Sequence, residues 1–120
     1  MIKKVNIKQK LSLFSDYWNP RVIGELNGQQ VRIAKFQGEF TWHHHEKEDE
    51  LFLVIKGRLL MKLRDQEIWL EEGEMIIIPA GVEHLPVAPE EAHILLFEPA
   101  ATKNTGNVKE ERTRKNLKHL

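Results

Sequence analysis

The chain has 120 residues, 41% of them hydrophobic and 30% charged, which fits one globular domain and excludes a second large core, a fibrous repeat or a disordered chain. Eighteen basic residues balance eighteen acidic ones, so no excess charge advertises a polyanion such as nucleic acid. There is no cysteine, which excludes disulfides, thiolate metal sites and a cysteine nucleophile, and no window of about 20 apolar residues that could span a membrane as a helix. A cytoplasmic protein with neither a nucleic-acid nor a membrane partner is the expectation.

Apolar Ile7, Leu11 and Phe14 have helical spacing and predict a short helix near the N-terminus. Asn19-Pro20 then breaks the chain, and Asn27-Gly28 is a strong turn signal. Residues 1–29 are expected as a helical or extended segment packed on the rest of the domain. Over residues 30–99 the pattern changes to short β-type runs, at 31–36, 40–45, 50–56, 58–64, 67–70, 75–79, 83–87 and 93–99. Turn residues punctuate them, among them Gly38, Gly57, Gly73, Gly81 and Pro89-Glu90. Many short strands with regular turns read as an all-β sandwich or barrel, and no interval holds the helices that a parallel sheet needs between its strands.

Residues 100–120 form a polar, charged extension. From Lys103 onward six basic and two acidic residues give +4, which leaves −4 for the rest of a neutral chain. A basic tail on an acidic body binds RNA or docks on its own or a neighbour's acidic surface; docking is the expectation here. The runs 51–55, 75–78 and 94–97 are apolar on both faces, whereas an antiparallel strand with one wet face alternates. The N-terminal helix can cover part of the outer face, and a second copy of the chain, in a homodimer, is expected to cover the rest.

The stretch Thr41-Trp42-His43-His44-His45-Glu46-Lys47-Glu48-Asp49-Glu50 carries the chemistry. On a strand His43 and His45 project together, and four intervening residues can return Glu50 to the same face. Imidazoles with a carboxylate suit Zn, Fe, Mn, Ni or Cu and disfavour an all-oxygen Ca or Mg site. Three adjacent histidines can equally form a polar strand end or a surface chelate. Further on, Gly73-Glu74-Met75-Ile76-Ile77-Ile78-Pro79-Ala80-Gly81-Val82-Glu83-His84 runs glycine turn, apolar strand, tight turn, histidine.

These two stretches resemble the motifs of the cupin family, and in particular of small single-domain cupins similar to mannose-6-phosphate isomerases. The first motif, G-x5-H-x-H-x3/4-E-x6-G, is matched by His43, His45, Glu50 and Gly57; the second, G-x5-P-x-G-x2-H-x3-N, by Gly73, Pro79, Gly81 and His84. Gly38 lies one residue too close to His43, and Ala88 stands where the second motif has Asn. The resemblance implies a double-stranded β-helix (jelly-roll) barrel over 30–99. It also implies one divalent transition metal on His43, His45, Glu50 and His84, with one or two coordination positions left for water or a small molecule inside the barrel.

A metal-dependent enzyme on a small polar metabolite is the first expectation, either an isomerase of a sugar phosphate or keto acid, or a dioxygenase. A non-catalytic module that binds or senses a small ligand through the same metal is the alternative. No general acid or base can be named from the sequence. If His43 and Glu50 point inward, alternation sends Thr41, Phe52 and Val54 inward with them and leaves Leu51, Leu53 and Ile55 outside. Phe40, Trp42 and Trp69 are expected at the packing or rim level, His44 on the surface, His93 in the core and His119 in the tail. Arg32 and Arg58 are candidate anchors for an anionic substrate. The segment Asn104–Val108 resembles a tail of related small cupins and is expected to fold back on the barrel or across a dimer.

Overall fold

A computed structural model describes residues 2–120. The elements run α1 (Ile7–Leu11), β1 (Arg21–Leu26), β2 (Gln29–Glu39), β3 (Glu50–Lys56), β4 (Leu59–Leu63), β5 (Glu67–Leu70), β6 (Met75–Ile78), β7 (His84–Pro99) and β8 (Lys118–His119). The strands form the jelly-roll fold, and the pairings are antiparallel apart from β1 with β8. Among the described residues no helix is long and apolar enough to cross a membrane.

Helix α1 is one turn and a half because its caps hold it to that length. The Asn6 side chain accepts from Gln9 N, and the Ser12 hydroxyl turns back to Gln9 O. Phe14, expected in the helix, lies beyond it and is buried with Leu11, Ile23 and Ile33 on the outer face of the sheet, joined by Val31 and Ile55. The helix thus covers part of the apolar outer surface. The N-terminal segment also supplies a strand. Asn27 and Gly28 both have positive φ, as a two-residue hairpin turn of the favoured hand requires, and fold β1 back on β2.

Strand β7 corrects two expectations at once. The runs 83–87 and 93–99 are one 16-residue strand, not two. It pairs with β2 along its length and, on its other edge, first with β4 and then with β3. The residues Pro89, Glu90 and Glu91, read as a turn, lie opposite Gln37 alone, between the pairs Gly38↔Ala88 and Phe36↔Ala92. A bulge absorbs them, and a bulge tolerates a proline that has no N–H to give. Gly38 and Ala88, the two departures from the motifs, are cross-strand partners beside that bulge.

The run 40–45 is no regular strand either. It is extended chain with one isolated bridge, His43 to His84, closed by His43 N to His84 O at 3.1 Å and His84 N to His43 O at 2.9 Å. No strand runs along its other edge. There the His44 backbone exchanges two hydrogen bonds with Asn107 of the C-terminal segment, at 2.9 and 3.0 Å.

Inside the barrel, Phe36, Phe52, Val54, Ile94 and Leu96 form the centre of the core. Phe52 and Val54 point inward and Leu51, Leu53 and Ile55 lie outside, as alternation requires. Trp18, from the loop before β1, closes one side. Its ring stacks on Phe36 and Phe40 with centroids 4.2 and 4.6 Å apart, and its Nε1 donates to Gln37 O at 3.0 Å. Removing so large a buried ring costs about 3 to 5 kcal/mol in comparable sites. Trp18→Ala is therefore expected to lower the stability by about 3 kcal/mol or more, read from urea unfolding followed by circular dichroism.

Candidate metal centre

The two halves of the sequence meet where β7 begins. The isolated bridge sets His43 against His84, with ring centroids 4.2 Å apart. Gly81 N donates to His45 O at 2.7 Å, so the Pro79–Gly81 turn holds the second histidine. Asp49 Oδ1 accepts from Ala80 N at 2.8 Å and ties the 46–49 turn to the same place. Glu50 opens β3 opposite Ile78. His43, His45, Glu50 and His84 are each at most 4% exposed, and one donor atom from each lies within 4.8 Å of all the others. The sequence pattern and the folded geometry select the same four residues.

The hydrogen bonds around the rings fix which nitrogen faces the centre. His43 Nδ1 donates to Thr41 O at 2.8 Å and His84 Nδ1 to Val82 O at 2.9 Å. A carbonyl only accepts, so both Nδ1 atoms carry a proton, and Nε2 is the atom each ring can offer to a metal as a lone pair. In the centre, His45 Nε2, His84 Nε2 and Glu50 Oε1 are buried without a hydrogen-bond partner, although Glu50 Oε1 lies 3.1 and 3.4 Å from the two nitrogens. Three unsatisfied buried donor atoms facing one point are costly alone and are what a cation resolves. Donors bound at about 2.1 Å to one ion lie about 3 Å apart when adjacent and about 4.2 Å when opposite. The cluster fits a divalent transition metal on chemistry and on size.

Beside the cluster is a cavity of about 20 Å³, room for about one water. Its walls are mostly apolar, with Trp18, Phe36, Phe40 and Phe52 prominent, and its polar groups are His43, Glu50, Glu98 and Asn104. A larger cleft, about 330 Å³, reaches His45 between residues 46–48 and residues 101–107. Gly106 explains how closely the C-terminal segment approaches: a Cβ there would stand 2.2 Å from His44 O and 3.1 Å from the His43 ring. The segment after β7 folds back on its own barrel, the first of the two expected arrangements.

Glu98 is the functional neighbour that sequence reasoning missed. It is 2% exposed, contacts Glu50 and forms a buried ion pair with Arg32, whose guanidinium also donates to Gln30 and to the carbonyls of Ala100 and Thr102. Burial first, then the charge of Glu50, pushes the Glu98 carboxyl well above the usual range, against the pull of Arg32. Burial alone would raise Glu50 too, but contacts from Glu98, His45 and His84 outweigh it and hold that carboxyl low. Glu50 is thus the more acidic carboxyl of the pair, and it is the one that faces the centre.

Several expected residues stand elsewhere. Arg32 is spent on Glu98, and Arg58 lies over the Trp69 ring, so neither anchors an anion in the cavity. Trp42 packs under Arg64 outside the cavity, while Phe40 does line it. Thr41 contributes its carbonyl and is not part of the lining. His44 is half-buried instead of exposed. His93 bonds Glu91 at 2.7 Å outside the core, and His119 is paired in β8 at the sheet edge.

A jelly-roll barrel with three histidines and a glutamate converging inside it defines a metal-type β-barrel protein. Residues 29–98 match the family described as Cupin domain, more than half of the chain, and the chain belongs to that family. A crystal structure of a cupin-2 domain containing protein from Shewanella frigidimarina is 49% identical, with a TM-score of 0.78 over 79% of this chain and 93% of that one. The uncharacterized protein YdbB of Bacillus subtilis is 40% identical over 79 residues, 65% of this chain and 64% of its own. The 3-hydroxyanthranilate 3,4-dioxygenase of Brucella anthropi is 34% identical over 77 residues, 58% of this chain and 42% of the enzyme. The chain spans less than two thirds of the length of these two curated relatives.

Burial, with the neighbouring His84 adding to it, pushes the His43 imidazole from 6.5 down to about 4. The unfolded chain takes up this proton below about pH 6.5 while the folded chain refuses it until about pH 4, so stability falls as pH drops through that window. A fall from 6.5 to about 4 corresponds to about 3 kcal/mol. Chelator-treated protein is expected to lose on that order between pH 7 and pH 4 in urea titrations, and His43→Phe to lose correspondingly less.

Proposed function

We propose that the protein is a metal-dependent enzyme of dioxygenase type acting on a small polar metabolite, with His43, His45, Glu50 and His84 as the metal ligands. The observation that carries this reading is the set of unpartnered donor atoms of Glu50, His45 and His84 converging inside a mostly apolar barrel. A divalent metal held there would supply Lewis-acid polarisation of a substrate carbonyl or hydroxyl and, if it is iron, the redox chemistry of oxygen. The likeness to a dioxygenase over the barrel supports oxygen chemistry over sugar-phosphate or keto-acid isomerisation, which the motif resemblance also implies.

The chain's own residues divide the remaining work. Thr41 O and Val82 O orient two imidazoles; Trp18, Phe36, Phe40 and Phe52 supply apolar wall; the Asn104 amide, bonded to Arg112 O and Arg114 N, fixes the C-terminal segment at the wall. Glu98 can hold a proton at its unpartnered Oε2 at the cavity wall. The cavity beside the cluster has room for about one water, and the cleft of about 330 Å³ that reaches His45 is the roomier approach to the four residues.

Elemental analysis of untagged protein is expected to give about one equivalent of Fe, Mn, Ni, Zn or Cu, lost in His84→Ala. Oxygen uptake with 3-hydroxyanthranilate or another vicinal hydroxy compound is expected for the iron-loaded protein and not for the variant. Metal without turnover on any such compound would favour the ligand-sensing alternative, and no stoichiometric metal after reconstitution would sink both.

We also propose a homodimer. Ile77, Leu51 and Phe97 form one cross-strand row on the outer face, and Met75, Leu53 and Leu95 the next. Ile77 and Met75 are more than half exposed, and helix α1 covers other residues. An apolar patch free of charge is complementary to itself across a two-fold axis. Light scattering is expected to give twice the 14.1 kDa chain mass for the wild type and a folded monomer for Ile77→Asp; a monomeric wild type would refute the dimer.

A further inference from the structure

The chain has six arginines. Arg21, Arg32, Arg58, Arg64 and Arg112 each pair with a carboxylate, on Asp16, Glu98, Glu71, Glu83 and Glu110. Among the described residues Arg114 pairs with none. Its backbone N–H is held by Asn104 Oδ1 at 3.0 Å, and its Nε is buried without a hydrogen-bond partner. Burying a guanidinium N–H unpaired is costly, and five of its counterparts avoid that cost.

Arg114 lines a cleft of about 390 Å³ between the start of β1 and β2 and the C-terminal segment, distinct in its lining from the cavity at the metal ligands apart from Asn104. Lys103, Lys115 and His119 line it as well, and no aspartate or glutamate does. Arg32 at its floor is already engaged by Glu98 and by the Ala100 and Thr102 carbonyls. Thr102, 4% exposed, adds a buried hydroxyl with no partner. Two unsatisfied donors and three lysine or arginine charges without a carboxylate call for an acceptor that carries negative charge.

We propose that this cleft binds a phosphate group, as the free ion or as a phosphomonoester, with Arg114 Nε and Thr102 Oγ1 donating to its oxygens. A phosphate matches better than a carboxylate, because it brings close to two charges and three strong acceptor oxygens to a site with three cations. The site is independent of the metal reading: it shares no donor with the four ligands.

The test is titration of the metal-loaded protein with inorganic phosphate and, separately, glycerol phosphate, at constant ionic strength, followed by calorimetry and by amide shifts in ¹H–¹⁵N spectra. Saturable one-to-one binding is expected, with shifts centred on Thr102 and Arg114. Arg114→Gln is expected to weaken it about tenfold, roughly one charge-assisted hydrogen bond, and Thr102→Val to weaken it less, while Lys109→Gln, an equal charge change outside the cleft, leaves it unchanged. Binding of the phosphomonoester alone assigns a metabolite, and binding of both the bare group; either supports the site. Absence of saturation at 10 mM (about a hundredfold weaker than a built site of this charge would give, roughly 0.1 mM), equal weakening by Lys109→Gln, or binding of an RNA oligonucleotide in place of both phosphates would overturn it. Should Arg114→Gln fail to fold, the wild-type shift map and Thr102→Val decide the matter, and metal content in each variant separates loss of this site from loss of the metal centre.

Discussion

One pair of backbone hydrogen bonds, between His43 and His84, holds the two halves of this barrel's chemistry together. The residues are 41 apart in sequence; His84 is the first rung of β7 against Leu63 of β4, whereas His43 belongs to no ladder and is held by this bridge. Each ring then donates Nδ1–H to the carbonyl two residues before it, Thr41 or Val82. The arrangement is the same on both sides of the bridge. The backbone bridge sets where the imidazoles are, and the local carbonyls set which nitrogen faces inward. Metal-binding histidines are commonly oriented by such outer partners.

The electrostatics of the centre depend on that placement. Three imidazoles and one carboxylate are buried together, and the carboxylate would be expensive there on its own. Contacts hold the Glu50 carboxyl low, burial and the charge of Glu50 push the Glu98 carboxyl up, and Arg32 lies behind Glu98 with four acceptors around it. The result is a graded chain from a buried cation to an anion facing the metal position. It also accounts for Arg32, which looks from the sequence like a substrate anchor. Its charge is needed inside the wall and does not reach the cavity.

What could be read from the sequence was what short-range periodicity and spacing specify. Strands β3 and β5 lie where the pattern puts them, and His43, His45, Glu50 and His84 converge, because side-chain alternation and turn chemistry are local. Two misreadings turn on partners that lie far away in sequence. Pro89-Glu90 fails to end β7 because β2 continues beside it and a bulge takes up the slack. The chain at 40–45 fails to form a strand because its second edge is satisfied by the Asn107 side chain and backbone, 63 residues away for His44. Glu98 had a signal available. Ile94 and Leu96 point inward, and the same alternation puts Glu98 inward with them, a charge at a core position of an apolar strand. A buried charge of that kind requires a partner, and Arg32, inward on β2 by the same rule, is the nearest basic residue in register.

The C-terminal extension belongs to the site for a related reason. Residues 30–99 contain all four ligands, yet the walls of the centre are completed from beyond Pro99. Asn104 lines the cavity, Gly106 lies against the His43 ring, Asn107 satisfies the His44 backbone, and Arg112 lies over Phe40 while donating to the carbonyls of Glu39 and Phe40. Only glycine permits that approach at position 106, where φ is +56° and a Cβ would collide with His44 O. The polar carbonyls of an irregular 40–45 segment would otherwise face water beside a buried cluster of histidines. A basic tail with no apolar pattern is thus ordered by backbone groups that the barrel leaves unpaired, those of Glu39, Phe40 and His44.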